Sequence, residues 1–290
     1  MASQRDIKRR IKSIKNTAQI TKAMQMVAAA RMRKAQERVA SSRPYSTHIR
    51  AIVADVAGRA GEDAHPLLTQ RPVKKAGLLL VTPDRGLAGA LIGNVNREAL
   101  RLVRDTKEPV SVVAVGRKGR TLATRLSWNL VAEFTDLGDQ PSLQDVSAIS
   151  RQVLDAYEAA EIDVVHLVYS EFVSTMRQTP KRVQLLPVIP PEDEEQGEDA
   201  ITGPWDYEPD DPQKVLSALL PRYVEFTVYQ ALLESVASEQ SARMVAMSAA
   251  TDAANDLVKD LTLLANKARQ AEITKEISEI SGAAEAIRTG

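Results

Sequence analysis

The chain has no cysteine in its 290 residues. Disulfides, a thiol nucleophile, thiolate metal sites and thiol-based redox control are therefore excluded. His48, His65 and His166 have no ligand spacing between them, so each reads as a surface or core histidine rather than part of a metal centre. No apolar run reaches 18 residues and no charged-then-apolar leader is present. The expectation is a chain that neither spans a membrane nor is secreted, with any membrane link made through partners. Net charge is missing too: 38 basic and 38 acidic side chains cancel. Bulk charge thus names no partner, but its distribution is uneven. Residues 1–50 carry 13 Lys or Arg against only Asp6 and Glu37, while residues 192–211 hold ten carboxylates and no base. A basic end suits nucleic acid, anionic lipid or an acidic protein surface.

Glycine and proline are absent over one long stretch, between Pro221 and Gly282. Nothing local stops a helix there of about 60 residues, roughly 90 Å at 1.5 Å per residue. Such a helix exceeds what one globular core can bury, so it needs a partner helix, a surrounding assembly, or both. Its seam steps by three and four through Phe226, Tyr229, Leu233, Val236, Gln240, Arg243, Met247, Ala250, Ala254, Leu257, Leu261, Leu264 and Ala268, and an apolar row restarts out of phase at Ile273, Ile277 and Ile280. The N-terminal segment has a matching seam of Ile7, Ile11, Ile14, Ala18, Thr21, Gln25, Ala28, Met32, Ala35, Val39, Ser42, Ile49, Val53 and Val56, read as one long helix bent or interrupted near Pro44. The two helices flank everything else and are expected to pair antiparallel, with Gln25 and Arg243 as polar seam positions that fix register.

Between them the period changes. Short apolar runs at 76–82, 110–115, 129–134, 163–169 and 183–188 read as strands, and 91–105, 117–126 and 142–160 as helices, after a loop at 57–73. Alternation of this kind predicts an open, Rossmann-like α/β sheet inserted between the helices. The expected organisation is an N-terminal coiled-coil helix at 1–57, the α/β domain at 74–190, an acidic linker loop at 191–212 anchored by Trp205 and Tyr207, and a C-terminal coiled-coil helix at 213–288. The carboxylates of that linker read as solvated, because the ligand spacing of a calcium loop is absent.

One stretch resembles a site for chemistry. Val81-Thr-Pro-Asp-Arg-Gly-Leu-Ala-Gly-Ala-Leu is a turn after a strand and before a helix, where main-chain N–H groups can receive phosphate. Its Gly86, Gly89 and Gly93 match neither the dinucleotide fingerprint nor the GxxxxGK[ST] loop. Asp84 with Arg85 reads as an ion pair or partner contact. Two alternatives remain open on residues alone: a nucleotide-binding enzyme with a coiled-coil handle, and a basic coiled-coil nucleic-acid binder.

The stretch Arg10-Ile-Lys-Ser-Ile-Lys-Asn-Thr-Ala-Gln-Ile-Thr-Lys-Ala-Met-Gln-Met-Val-Ala-Ala-Ala-Arg closely resembles the N-terminal signature of the gamma subunit family of F-type ATP synthases. So do Asp84-Arg-Gly-Leu-Ala-Gly, Leu185-Leu-Pro, Trp205-Asp-Tyr, Ala237-Ser-Glu-Gln-Ser-Ala-Arg-Met-Val-Ala-Met and Asn266-Lys-Ala-Arg-Gln-Ala-Glu-Ile-Thr, in the family's order along nearly the whole chain. The turn departs from the family in Pro83, Ala88 and Ala90. Without cysteine, the thiol control of the chloroplast type is not expected.

The resemblance implies a central-stalk rotor, with the paired helices as a shaft inside three alpha and three beta subunits. The α/β domain would lie against the epsilon subunit and the membrane c-ring. Such a subunit couples ion-driven rotation to ATP synthesis and hydrolysis at the beta sites and regulates ATPase activity and proton flow. It does no covalent chemistry, holds no cofactor or metal, binds no nucleic acid, and sits peripherally on the cytoplasmic face of the membrane in a bacterial-type complex. By the same resemblance Arg269 and Gln270 contact a loop of beta, with Thr274 and Glu276 one turn on. Arg33, Lys34 and Arg85 add basic contacts to beta's acidic lever, and Met24 and Arg243 mark positions where the two helices couple.

Overall fold

The computed structural model describes residues 4–61, 64–190 and 211–289, the side chains at 285, 286 and 289 excepted. Residues 191–210 of the acidic linker, with Trp205, Tyr207 and the solvated-carboxylate reading, lie outside the described residues. In chain order the elements are α1 (Gln4–Ala60), β1 (Ala76–Val81), α2 (Leu91–Asp105), β2 (Val110–Val115), α3 (Arg117–Arg125), β3 (Asn129–Phe134), α4 (Leu143–Glu158), β4 (Val164–Phe172), β5 (Gln178–Leu186) and α5 (Pro212–Thr289).

Both long helices run through a proline. At Pro44 the helix is not interrupted, and α1 is continuous over 57 residues. Ser42 and Ser46 on either side turn inward and return their hydroxyls to the carbonyls of Val39 and Arg43, while Val39, Ile49 and Val53 bury the same face. Helix α5 begins at Pro212, one residue before the expected start at 213, runs through Pro221 and spans 78 residues. Its start signal is Asp211, whose carboxylate accepts from the amides of Gln213 and Lys214 at 3.1 and 3.4 Å. Asp as N-cap followed by Pro at the first helical position satisfies orphan donors and presets φ. An interior proline such as Pro221 costs about 3 kcal/mol; Leu216, Leu220, Val224 and Val228, all fully buried at four-residue spacing, offset it.

Two compact units divide the chain, Met1–Val27 with Met244–Gly290, and Ala28–Arg243. In the first, antiparallel segments of α1 and α5 bury Ile7, Ala18, Thr21, Met247, Thr251 and Ala265. The seam on α1 falls where its sequence places it. On α5 the expected row holds at Met247 and in part at Ala254, Leu261 and Ala268, but its alternate positions move by one: Leu257 and Leu264 are 48% and 50% exposed, while Thr251 and Ala265 turn inward. Close approach of two helices selects small side chains, and the larger leucines are displaced outward. From Arg269 to Ala284 every side chain is exposed.

The Thr21 and Thr251 hydroxyls meet at 2.7 Å inside this pair, and each also lies within hydrogen-bond reach of a carbonyl of its own helix. Thr21→Val alone removes the cross-helix bond, leaving the Thr251 hydroxyl only the Met247 carbonyl, and is expected to cost about 1 kcal/mol, whereas valine at both positions should be near neutral or stabilising. A double-mutant cycle by urea unfolding checks this; two additive losses would contradict it.

The second unit is a five-stranded sheet of order β3-β2-β1-β4-β5. Strands β1 to β4 are parallel and β5 runs antiparallel to β4. One face packs on α4 and on α1 and α5 residues through Ile49, Val53, Ile149, Val153, Leu167, Leu220 and Val224. The other packs on α2 and α3 through Leu78, Leu80, Val95, Leu102, Val112 and Leu122. The strand cores are therefore continuous apolar runs rather than alternating ones, as a sheet covered on both faces requires. Strand β5 starts at Gln178, earlier than its apolar run at 183–188 suggests, because an edge strand tolerates Pro180 and charged residues. Helix α4 opens with a capping box: Ser142 and Asp145 bond each other's main-chain amides. Within this unit α1 and α5 are again antiparallel neighbours. Tyr45 stacks on Phe226 at 4.5 Å between ring centroids, and Ala35, Val39, Leu233 and Ala237 form a small core.

Candidate functional site

In an open parallel sheet, ligands enter at the carboxyl ends of the strands where strand order reverses, here between β1 and β4. On the β2 side of that point, the anion seats that the first turn of α3 would offer are already filled. At the start of α3 the amide of Arg117 donates to Asp84 Oδ1 at 3.0 Å, that of Lys118 to the Pro83 carbonyl at 3.2 Å, and that of Gly119 to Thr82 Oγ1 at 2.7 Å. Helix α5 closes the neighbouring strand end, with Ser238 and Ser241 hydroxyls on the carbonyls of Ser170 and Thr175. The remaining cavity, lined by Thr82, Gly116, Leu232 and Glu239, holds about 50 Å³, against at least ~300 Å³ for small-molecule sites. A nucleotide does not fit this cavity.

Asp84 does not form the ion pair with Arg85 that sequence suggested. Its second oxygen accepts from the amide of Asp136 at 3.0 Å, so the carboxylate ties two loops together. The Asp136 carboxyl is held below its ordinary value chiefly by Arg117, with Arg85 adding attraction. Arg85 itself is exposed on a turn whose backbone takes left-handed conformations at Leu87 and Gly89.

Behind this turn lies a polar cluster. Arg243 is 8% exposed and spans two acceptors, Glu239 Oε1 at 2.6 Å and the Gly86 carbonyl at 3.1 Å. Gln240, one residue along α5 from Glu239, donates to Asp139 Oδ1 at 2.8 Å. Arg31 and Arg38, two turns apart on α1, reach Asp139 Oδ2 at 2.6 Å and its carbonyl at 3.2 Å. Burial raises the Glu239 carboxyl, and Arg243 works against that rise.

The expected contact residues fall into separate groups. Arg33 and Lys34 are exposed on α1 and Arg85 on its turn, while Arg243 is buried. Arg85 and Arg243 come together around Gly86, in one small cleft that also holds Arg31 and Asp139. In the other unit Met24 is half-buried, and Arg269, Gln270, Thr274 and Glu276 are exposed on α5. Sequence reading missed Arg31, Arg38, Asp139 and Glu239. The signal was present in Gln240 and Arg243, since polar side chains on a buried seam demand partners.

Among the described residues no group of three or more His, Cys, Asp or Glu could hold a metal ion. His166 is half-buried on β4 and pushed down to about 4 by burial and by Arg182; His65 accepts from the Leu67 amide at 3.2 Å. Among the same residues no helix is long and apolar enough to cross a membrane.

A family profile described as ATP synthase matches residues 3–287. The ATP synthase gamma chain of Dehalococcoides mccartyi (strain CBDB1) is 50% identical over 290 residues, covering 99% of this chain and all of that one. The gamma chain of Roseiflexus castenholzii is 49% identical, with 99% of both chains covered. Among solved structures, the central stalk and c-ring of the Tetrahymena thermophila mitochondrial ATP synthase contains a chain of TM-score 0.62 and 26% identity, matched over 80% of this chain and 99% of that one. A chain of the Euglena gracilis mitochondrial ATP synthase shares the fold at TM-score 0.67 over 99% of this chain and 95% of that one. The chain belongs to the ATP synthase gamma chain family.

Proposed function

We propose that this chain is the central-stalk rotor subunit of a rotary ATP synthase. The helix segments of the first unit turn inside a sleeve of three alpha and three beta subunits, and the α/β domain meets the epsilon subunit and the membrane c-ring. Rotation driven by ion flow through the c-ring is thereby coupled to the nucleotide sites of beta, and ATPase activity and proton flow are regulated through the same shaft. The subunit itself is non-catalytic and peripheral, on the cytoplasmic face of the cell membrane in a bacterial-type complex. The filled anion seats at the start of α3 support this over the nucleotide-enzyme reading.

The observation that carries the proposal is the surface of the first unit. Ile20, Met26, Leu263, Ile273, Ile277 and Ile280 are each between 48% and 70% exposed, on helices whose seam is diluted by Thr21 and Thr251. Apolar residues spread around helices of this kind require an enclosing assembly. Interspersed polar residues suit a surface that slips between equivalent partners and binds none of them permanently. Arg269 and Gln270 are the contacts assigned to a loop of beta, with Thr274 and Glu276 beside them. Arg33, Lys34 and Arg85 face beta's acidic lever, and Met24 marks a coupling position on α1, whereas Arg243 ties α5 to the Gly86 turn.

Coexpression with alpha and beta subunits tests the reading: the chain should co-purify as one copy against three of each, and no association would end it. Within such a complex, Arg269→Ala with Gln270→Ala removes one charge-assisted and one neutral contact, and ATP-driven proton pumping is expected to fall about tenfold with assembly kept. Unchanged pumping would remove the contact assignment and leave the rotor reading standing.

A further inference from the structure

The connection from β3 to α4 is held at both ends. On the domain side the Asp136 amide donates to Asp84, and the Asp136 carboxylate takes two bonds from Arg117 at 2.5 and 2.7 Å. Left-handed backbone at Asp136 and Gly138 folds the loop back on itself, and the Ser142 capping box anchors its far end to α4. The residue at the tip, Asp139, points to the helix pair. It accepts from Arg31 at 2.6 Å and Arg38 at 3.2 Å on α1, and from Gln240 at 2.8 Å on α5.

We propose that Asp139 is a torque-positioning residue: through it the α/β domain grips both helices at once and locks their register, so that force on the domain enters the helix pair without slip. The proposal rests on the central-stalk reading above and names where, in that role, one part of the chain drives another. Its geometry is demanding. Two antiparallel helices contribute three donors to one residue, and sliding either helix past the other by one residue, about 1.5 Å, breaks at least one bond. Two of the donors, Arg31 and Arg38, are seven residues apart and so stand on one face of α1, bracketing the loop tip.

The contacts are not equal. Arg31 and Asp139 are 44% and 35% exposed at the side chain, and an ion pair so hydrated contributes little. Gln240 is 1% exposed. Its amide is a buried donor on the seam, and a charged acceptor supplied from outside the helix pair satisfies it. Gln240 at a position that would ordinarily hold leucine thus makes helix pairing conditional on the domain's loop being in place. A polar seam residue of this kind specifies register at some cost in stability.

The experiment uses the assembled ATP synthase in vesicles, reading ATP hydrolysis, ATP-driven acidification and subunit content together. Asp139→Asn keeps an oxygen for Gln240 and should stay within about twofold of the parent in acidification per ATP hydrolysed. Asp139→Ala should retain hydrolysis but lose at least about fivefold in that ratio. Asp139→Ala with Gln240→Leu removes the stranded donor and restores packing, yet should remain uncoupled because the grip is gone. An unchanged ratio in Asp139→Ala would overturn the proposal. So would recovery of the ratio in the double variant, or loss of assembly in both, since each assigns Asp139 to folding alone. Failure of the parent chain to form a coupled complex would instead sink the central-stalk reading.

Discussion

Gly116→Ala is expected to unfold or severely loosen the α/β domain, at a cost of about 3–5 kcal/mol. Gly116 ends β2 and caps α3 with φ +87, a backbone conformation that alone costs an L residue ~1–2 kcal/mol. The space is closed as well: a Cβ there would lie 1.8 Å from the Thr82 carbonyl oxygen and 2.7 Å from its carbon. Thr82 cannot retreat, because its amide and hydroxyl both bond the Val115 carbonyl and its hydroxyl oxygen accepts from Gly119. Relief would require parting β1 from β2 at the centre of the sheet. A loss of this size is a large share of the ~5–15 kcal/mol that holds a domain together. Gly138→Ala is the control, since its φ of +72 carries strain but no atom lies within 4 Å of the added carbon; about 1 kcal/mol is expected. Urea midpoints of the two variants, followed by circular dichroism, should separate clearly. Coincident midpoints would show that the close approach to Thr82 does not govern the site.

The same region shows what the sequence could and could not convey. Apolar runs of β1, β2 and β4 were legible because a strand covered on both faces is written as an unbroken hydrophobic word. Ser142 and Asp145 announced α4 by local chemistry alone. The α1 seam was legible through its period, Thr21 and Ser42 included. The α5 seam after Met247 was legible only at every second position, because the choice between Leu257 and Leu264 on one side and Thr251 and Ala265 on the other depends on how closely the partner helix approaches, which no local pattern records. The interruption expected near Pro44 misled for a related reason. Pro44 and Pro221 are helix breakers locally, and tertiary burial on either side overrides them. Of the polar cluster, only the α5 members Gln240 and Arg243 stood out, as polar letters on an apolar seam. Their partners Asp139 and Gly86 lie 101 and 157 residues away along the chain, and a loop aspartate carries no mark of what it meets.

Arg243→Ala should be the most damaging single change on α5. Arg243 and Glu239 are 10% and 14% exposed at the side chain, and the guanidinium also holds the Gly86 carbonyl. Truncation leaves a buried carboxylate with Asp139 and Asp84 as negative neighbours, a situation that costs about 3–5 kcal/mol. The loss should depend on pH in a defined sense. Burial raises the folded-state pKa of Glu239 above its ordinary 4.5, and Arg243 opposes that rise. Without Arg243 the rise is larger. An acid with a raised folded-state pKa favours the folded chain below the unfolded value, and the advantage is lost as pH climbs through the folded value. The variant should therefore lie nearest to the parent in acid, where Glu239 holds its proton, and fall further behind as pH rises from the ordinary carboxylate value toward neutrality. Arg243→Lys keeps a charge for Glu239 but cannot fork to Gly86 as well, so an intermediate loss is expected. Adding Glu239→Gln to Arg243→Ala removes the stranded charge, and should recover much of the stability at neutral pH and flatten the pH dependence. Urea unfolding of the four chains from pH 5 to pH 8 measures all of this. A penalty independent of pH, or one that the second substitution fails to reduce, would mean that Arg243 acts through packing and its bond to Gly86 rather than by compensating a buried charge.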